Sequence, residues 1–310
     1  MLRSSTRANV LMLLASLIWG TAFIAQTASL DAIGPFFYTG LRFLLGAAVV
    51  LVVIVVRARG RLAASTEGMR AMLAPGLALG LLVAASISLQ QIGLQYTTVA
   101  NAGFISSLYV ILVPLFGVLR GHATARRIWF GAGLALLGLY FLSVQSDYVV
   151  RAGDWYELGG AMIIAVQIVL LGSVASRHDP FKLAFLQFAV CSLVCLLAAS
   201  LFEPIALAQA GRAAFTILYG GALSVGVGYT LQVVAQRAAV PAHAAVIFSM
   251  EGVFAAIAAW VLLGQDLSVR SLLGCMLVFS GLVASQLGWG AASHRLAAGM
   301  RRLGAQRKGP

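Results

Sequence analysis

The sequence is poor in charge and poorer still in acid. Of 310 residues 10% are charged, and only 9 are Asp or Glu against 21 Lys or Arg. Soluble domains carry about a quarter charged residues, so this chain has too little polar surface to cover a water-soluble globule. Cysteine is scarce. Cys191, Cys195 and Cys275 all fall in apolar runs, where a thiol behaves as a small hydrophobe, and no disulfide framework is implied. Cys191 and Cys195 have one-turn spacing, but no His or acid neighbours them in sequence, which leaves a metal site without support. There is no Gly-rich phosphate loop and no nucleophile beside a base, so ATP hydrolysis and covalent catalysis are not expected. The chain is expected to need no cofactor and to be no enzyme.

What is present is apolar sequence in membrane lengths. Hydrophobic residues make up 61% of the chain, in about ten runs of roughly 20 residues, each long enough to cross a bilayer as a helix. The spans are expected at 8–29, 34–56, 71–91, 98–119, 128–145, 155–176, 181–202, 213–236, 241–263 and 271–288. The fold class is therefore an all-α polytopic membrane protein, with no room for a soluble catalytic domain. The first run follows Arg3 and Arg7 and has the length of a full span, so it is kept as a helix rather than a cleaved signal peptide.

A net charge of +12 raises the question of a nucleic-acid partner, and the placement of the basic residues answers against it. With a cytoplasmic amino terminus, seventeen of the 21 Lys and Arg lie in inside segments. Only Arg151, Arg212 and Arg270 lie outside, and Arg42 sits within a span. Such a split is a positive-inside signal that puts both termini in the cytoplasm of a bacterial inner membrane. Six acids, Asp31, Asp147, Asp154, Glu157, Glu203 and Asp266, fall to the outer side. The basic tail at 289–310 places Leu296, Met300 and Leu303 at helical spacing among arginines and is expected to lie on the anionic inner leaflet.

Shifting the chain by 143 positions superposes Ser106 on Ser249, Gly121 on Gly264, Arg127 on Arg270, Gly131 on Gly274 and Gly138 on Gly281 without a gap. Pro35 and Pro180 form a weaker match that aligns Arg42 with Gln187. The units are 8–145 and 155–288, each of five spans. Because five is odd, the second enters the membrane from the opposite face, and two inverted repeats are the architecture of alternating-access carriers.

The residues also resemble a known family. Trp19-Gly20 late in the first span, Pro35 followed by Arg42, the Gly121 and Gly264 turns with their following glycines, and Met250-Glu251-Gly252-Val253-Phe254 look like the EamA-like branch of the drug/metabolite transporter superfamily. The similarity runs from about Asn9 to about Gly288. It implies a ten-helix, two-repeat fold that carries small metabolites, often outward, without ATP. The chain departs from the family pattern at Gly252, where a proline is common, and at Gln265, where a glutamate is common.

Ionisable groups at membrane depth are expensive and are functional candidates by default. Glu251 lies ten residues into its span, about 15 Å deep at helical rise. It reads either as a proton- or cation-binding carboxylate facing a cavity, or as a paired carboxylate that locks helices together. His243, eight residues earlier, is a gate or proton relay, or a locally satisfied interfacial histidine. Asn101 and Tyr109 repeat that spacing in the fourth span and suggest that spans four and nine line the cavity, with interhelical hydrogen bonding as the alternative role. Arg42 either snorkels outward to an acid such as Asp31 or binds a substrate carboxylate. Gln26, Gln90, Gln91, Gln167, Gln187, Tyr229, Gln232 and Gln236 supply neutral hydrogen-bonding groups suited to a zwitterionic or polar solute. Trp19 stacks on a solute or packs in the core.

Gly76 with Gly80 and Gly117 with Gly121 have the spacing of close helix contact. Spans five and ten, Gly-rich and uncharged within, are expected to serve as scaffold or as a homodimer surface. The expected function is a secondary active exporter of small metabolites such as amino acids. The competing expectations are efflux of cationic drugs and, from another class, a membrane-embedded lipid-modifying enzyme.

Overall fold

In a bilayer every backbone N–H and C=O must be bonded within the chain, which leaves apolar sequence of this length little choice but the helix. The computed structural model describes residues 2–58, 66–121, 123–143, 150–205, 207–264 and 268–286, and the basic tail expected at 289–310 lies outside the described residues. Among the described residues there is no strand. The helices are α1 (Leu2–Ser29), α2 (Pro35–Ala58), α3 (Thr66–Gly93), α4 (Val99–Ser106), α5 (Tyr109–Leu119), α6 (Arg126–Ser143), α7 (Ala152–Val174), α8 (Pro180–Phe202), α9 (Leu207–Arg212), α10 (Ala214–Leu218), α11 (Thr230–Gln236), α12 (Pro241–Phe248), α13 (Met250–Leu263) and α14 (Val269–Gln286). A π-helical segment, Tyr219–Tyr229, joins α10 to α11.

Nine membrane-length apolar spans are found among the described residues. The expected tenth, α6, is an 18-residue helix that opens on Arg126 and Arg127 and packs against α14. Helix ends follow local chemistry. Pro35, Pro180 and Pro241 occupy first-turn positions where a missing N–H costs nothing. The Asp179 carboxylate accepts from the Phe181 and Lys182 amides, both at 3.0 Å. Gly121 (φ 79°) and Gly264 (φ 64°), equivalent in the repeat, end α5 and α13 in the left-handed region that glycine tolerates.

Helix neighbours obey a twofold exchange of the repeats. α3 packs on α7 as the π-helical segment and α11 pack on α1; α3 packs on α8 as α2 packs on the π-helical segment; α13 packs on α1 as α4 and α5 pack on α7. The pairs α2/α8 and α6/α14 map onto themselves. At the second of these a Cβ on Gly131 would meet the Gly281 carbonyl at 2.6 Å, and one on Gly138 would meet the Gly274 carbonyl at 2.6 Å. Residue numbers rise on one helix as they fall on the other, so these equivalent helices are antiparallel. α2 and α8 do the same: Gly34 lies against Glu203, Ser192 donates to the Gly40 carbonyl at 2.9 Å, and the Arg57 guanidinium stacks on Phe181 at 4.3 Å. Equivalent helices of opposite polarity are what an axis perpendicular to them requires, so the repeats are inverted.

Two expectations are corrected. Gly76 and Gly80 do press on α8, at Leu186 and Val190, but Gly117 and Gly121 do not make a close helix contact. A Cβ on Gly117 would meet only Thr124 at 4.0 Å, and Gly121 serves the turn. Spans four, eight and nine, expected as continuous helices, are interrupted: span four at Ser107 and Leu108, span nine at Ser249, and span eight by its π-helical turns. The large apolar side chains left exposed, such as Phe130, Leu193, Leu201 and Met276, suit a lipid-facing belt.

Candidate functional site

The breaks in spans four and nine fall within one residue of the 143-position repeat, and they meet. Tyr109 opens α5 and Glu251 lies in the first turn of α13. The Tyr109 hydroxyl donates to the Glu251 carboxylate at 2.9 Å, and Ser107 donates to the same oxygen at 3.5 Å. On the other side α1 touches α13 directly, because Gly20 has no side chain. A Cβ there would lie 2.6 Å from the Glu251 carbonyl and 2.8 Å from the Ala255 nitrogen. The Trp19-Gly20 and Glu251-Gly252 pairs singled out in the sequence are therefore parts of one contact.

Around this contact lies a chamber of about 60 Å³. Its wall comes from both repeats: Trp19, Phe23 and Gln26 from α1, Arg42 from α2, Ser86 and Gln90 from α3, and Ser106 and Tyr109 from span four. The second repeat supplies Glu157, Ile164 and Ile168 from α7, Ser224 and Tyr229 from the π-helical segment, Gln232 from α11, and Phe248 and Glu251 from span nine. Glu251 is 7% exposed and Tyr109 5%.

Of the residues expected at a cavity, Glu251, Tyr109, Trp19, Gln26, Gln90, Tyr229, Gln232 and Arg42 come together in this wall. Asn101, Gln167 and His243 do not. Asn101 lies near the start of α4, where its backbone N–H donates to the N-cap hydroxyl of Thr98 at 3.1 Å. Gln167 stands behind Gln232 and accepts from it at 3.3 Å. His243 is buried at the far end of α12, with Nε2 3.1 Å from Asn9 Oδ1, while Asn9 donates to Gln286 at 2.9 Å. That chain fastens α1, α12 and α14 together.

The glutamines form a second pair of equivalent contacts. Gln91 donates to the Gln26 backbone carbonyl at 3.1 Å, and Gln232 donates to the Gln167 side-chain oxygen. A shift of 141 carries the first pair onto the second, so both bind the third span of a repeat to its first. Trp19 packs with ring centroids 4.8 Å from Tyr229 and 5.2 Å from Phe248, and its indole N–H reaches the Ser224 carbonyl at 3.4 Å. The wide π turns bring that carbonyl and the Tyr229 ring to the wall.

Arg42 does not snorkel to Asp31. It is 2% exposed, with its guanidinium 5.2 Å from the Tyr38 ring centroid and 5.6 Å from that of Phe43, and its Nε has no hydrogen-bond partner. Glu157 was grouped with the outer acids by sequence. α7 begins at Ala152, three residues ahead of the expected boundary, and carries Glu157 inward to 0% exposure in the wall. The readable signal was Asp154, whose carboxylate accepts from the Arg151 amide at 2.9 Å and marks a helix start. Among the described residues no cluster of three His, Cys, Asp or Glu side chains is placed to hold a metal.

A second pocket lies between α1, α2, α8 and α11, lined by Arg7, Arg57, Arg237 and Asp179. It is a basic mouth at the end of the bundle where the inside loops were expected.

The sequence profile of the EamA-like transporter family matches residues 6–144 and 151–285 separately, one match for each repeat. An uncharacterized transporter of Archaeoglobus fulgidus is 28% identical over 282 residues, covering 90% of this chain and 86% of that protein. The uncharacterized transporter YoaV of Bacillus subtilis is 22% identical over 279 residues, covering 86% and 92%. A protein of known crystal structure superposes with a TM-score of 0.73 over 90% of this chain and 96% of its own, at 22% identity, a likeness of fold alone.

Proposed function

This chain belongs to the EamA-like transporter family, and from that premise we propose that it is a secondary active exporter of small metabolites such as amino acids. The observation that carries the reading is the chamber shared by the two repeats, with Glu251 at the meeting of two interrupted helices. A buried carboxylate held by neutral hydroxyl donors in the wall of a chamber is suited to exchange a proton. The two inverted halves rock about it, opening the chamber to one face and then the other. The protein sits in a bacterial inner membrane with both termini in the cytoplasm. Its basic mouth with Arg7, Arg57 and Arg237 faces the anionic leaflet from which cargo enters.

Arg42 weighs against cationic drugs as cargo, because a fixed guanidinium with no acid bonded to it repels a bulky cation that spans the wall, whereas a solute that also carries a carboxylate gains from it. The test is direct. Proteoliposomes loaded with a defined metabolite mixture should release one or a few polar solutes faster than protein-free vesicles. Equal release of every solute would refute the reading.

A further inference from the structure

The chamber contains two carboxylates in different circumstances. The Glu251 side chain is engaged by Tyr109 and Ser107. Glu157, completely buried in the same wall, has no hydrogen-bond partner on either carboxylate oxygen. A carboxyl group in low dielectric with neither oxygen satisfied carries the desolvation penalty of a polar group, and an arriving donor or cation relieves it. The same wall holds Arg42, equally buried, without an acid bonded to it and with its Nε unpartnered. Had the two served each other, they would form an ion pair and both would be satisfied. Instead one acidic and one basic side chain stand separately in one wall.

We infer that Glu157 and Arg42 are the two poles of the cargo site, Glu157 taking an ammonium group and Arg42 a carboxylate, so that the protein selects solutes carrying both charges over solutes carrying one. This rests on the transport reading above and narrows it. A singly charged solute leaves one pole buried and unpaired, whereas a zwitterion satisfies both. The guanidinium fork suits a planar carboxylate, and the apolar remainder of the wall, Trp19, Phe23, Ile164 and Ile168, suits an aliphatic or aromatic body between or beside them. Glu251, already bonded, is left free for the proton.

The experiment uses the full chain in proteoliposomes and three probes of similar body: leucine, leucine methyl ester with the cation alone, and N-acetyl-leucine with the anion alone. In the wild type leucine should leave fastest, by about thirtyfold or more over either analogue, the scale of an unpaired buried charge. Glu157→Gln should lower leucine efflux about thirtyfold or more while leaving N-acetyl-leucine within about twofold, and Arg42→Gln should spare the methyl ester instead. The wild-type ranking needs no variant to fold. A wild type that releases a singly charged probe as fast as leucine, or a Glu157→Gln protein that slows all three probes equally or none, overturns the pole assignment and leaves transport standing. A wild type that releases none of the three overturns the assignment together with amino-acid cargo.

Discussion

At the scale of single residues, the account assigns separate tasks to groups that share one wall. Glu251 is the group asked to exchange a proton. Glu251→Gln keeps the shape and removes the titration, so efflux should lose its dependence on a pH gradient, and flux at matched pH on the two sides should fall. Unchanged rate and unchanged pH dependence in vesicles would end proton coupling at this position. The Tyr109 hydroxyl holds that carboxylate at 2.9 Å. A hydrogen bond to a charged group contributes about 1.5–3 kcal/mol, so Tyr109→Phe should slow transport by about tenfold or more without lowering the amount of folded protein. Glu251, Tyr109 and Arg42 could be singled out from the sequence because ionisable and polar groups are rare enough in lipid to be conspicuous. Glu157 could not, because its meaning turned on whether a helix starts at Ala152 or at Trp155. Those three residues separate an acid at the outer end of a span from one a full turn inside it. His243 failed to join the chamber for a different reason. Periodicity put it on the face of Glu251, but the break at Ser249 cuts the helix between them.

Among the elements, glycine is the residue that decides packing, and its effect depends on what lies opposite. α6 carries Gly133 and Gly138 five residues apart. A Cβ at Gly138 would strike the Gly274 carbonyl at 2.6 Å, whereas nothing lies within 4 Å of one at Gly133. Gly138→Ala should therefore destabilise the fold by about 1–3 kcal/mol through overpacking. Gly133→Ala should be neutral or stabilise by up to about 1 kcal/mol, since Ala favours a helix interior. Thermal unfolding in detergent measures both, and equal effects would contradict the α6/α14 crossing. The glycine repeat at 131/138 and 274/281 was legible as periodicity. Its use was not, because the sequence aligns Gly131 with Gly274 while the fold sets Gly131 against Gly281. Alignment finds equivalent positions, and a twofold axis brings non-identical ones into contact. The interruptions of spans four and nine were hidden as well. No proline marks Ser107 or Ser249, and serines alone do not end a helix in lipid.

For the whole molecule, composition and odd repeat length were enough to read a polytopic bundle of inverted halves, because the solvent allows few alternatives. The pairing of those halves came only with coordinates: α2 on α8, α6 on α14, and interrupted spans four and nine meeting at Glu251. Orientation in the membrane rests on the distribution of arginines, and it predicts that a reporter fused to the carboxyl terminus stays inaccessible to an external protease in intact cells. Cleavage there without lysis would reverse the bundle and, with it, the direction proposed for cargo. Alternating access requires that one chamber be reached in turn from both sides of the membrane. Ala161, 1% exposed in the chamber wall, can report on this after Cys191, Cys195 and Cys275 are replaced by alanine. With Ala161→Cys in oriented vesicles, a membrane-impermeant thiol reagent should label the site from either face, and transported solute should shift the ratio of the two rates. Labelling confined to one face under every solute condition, or absent from both, would contradict the account.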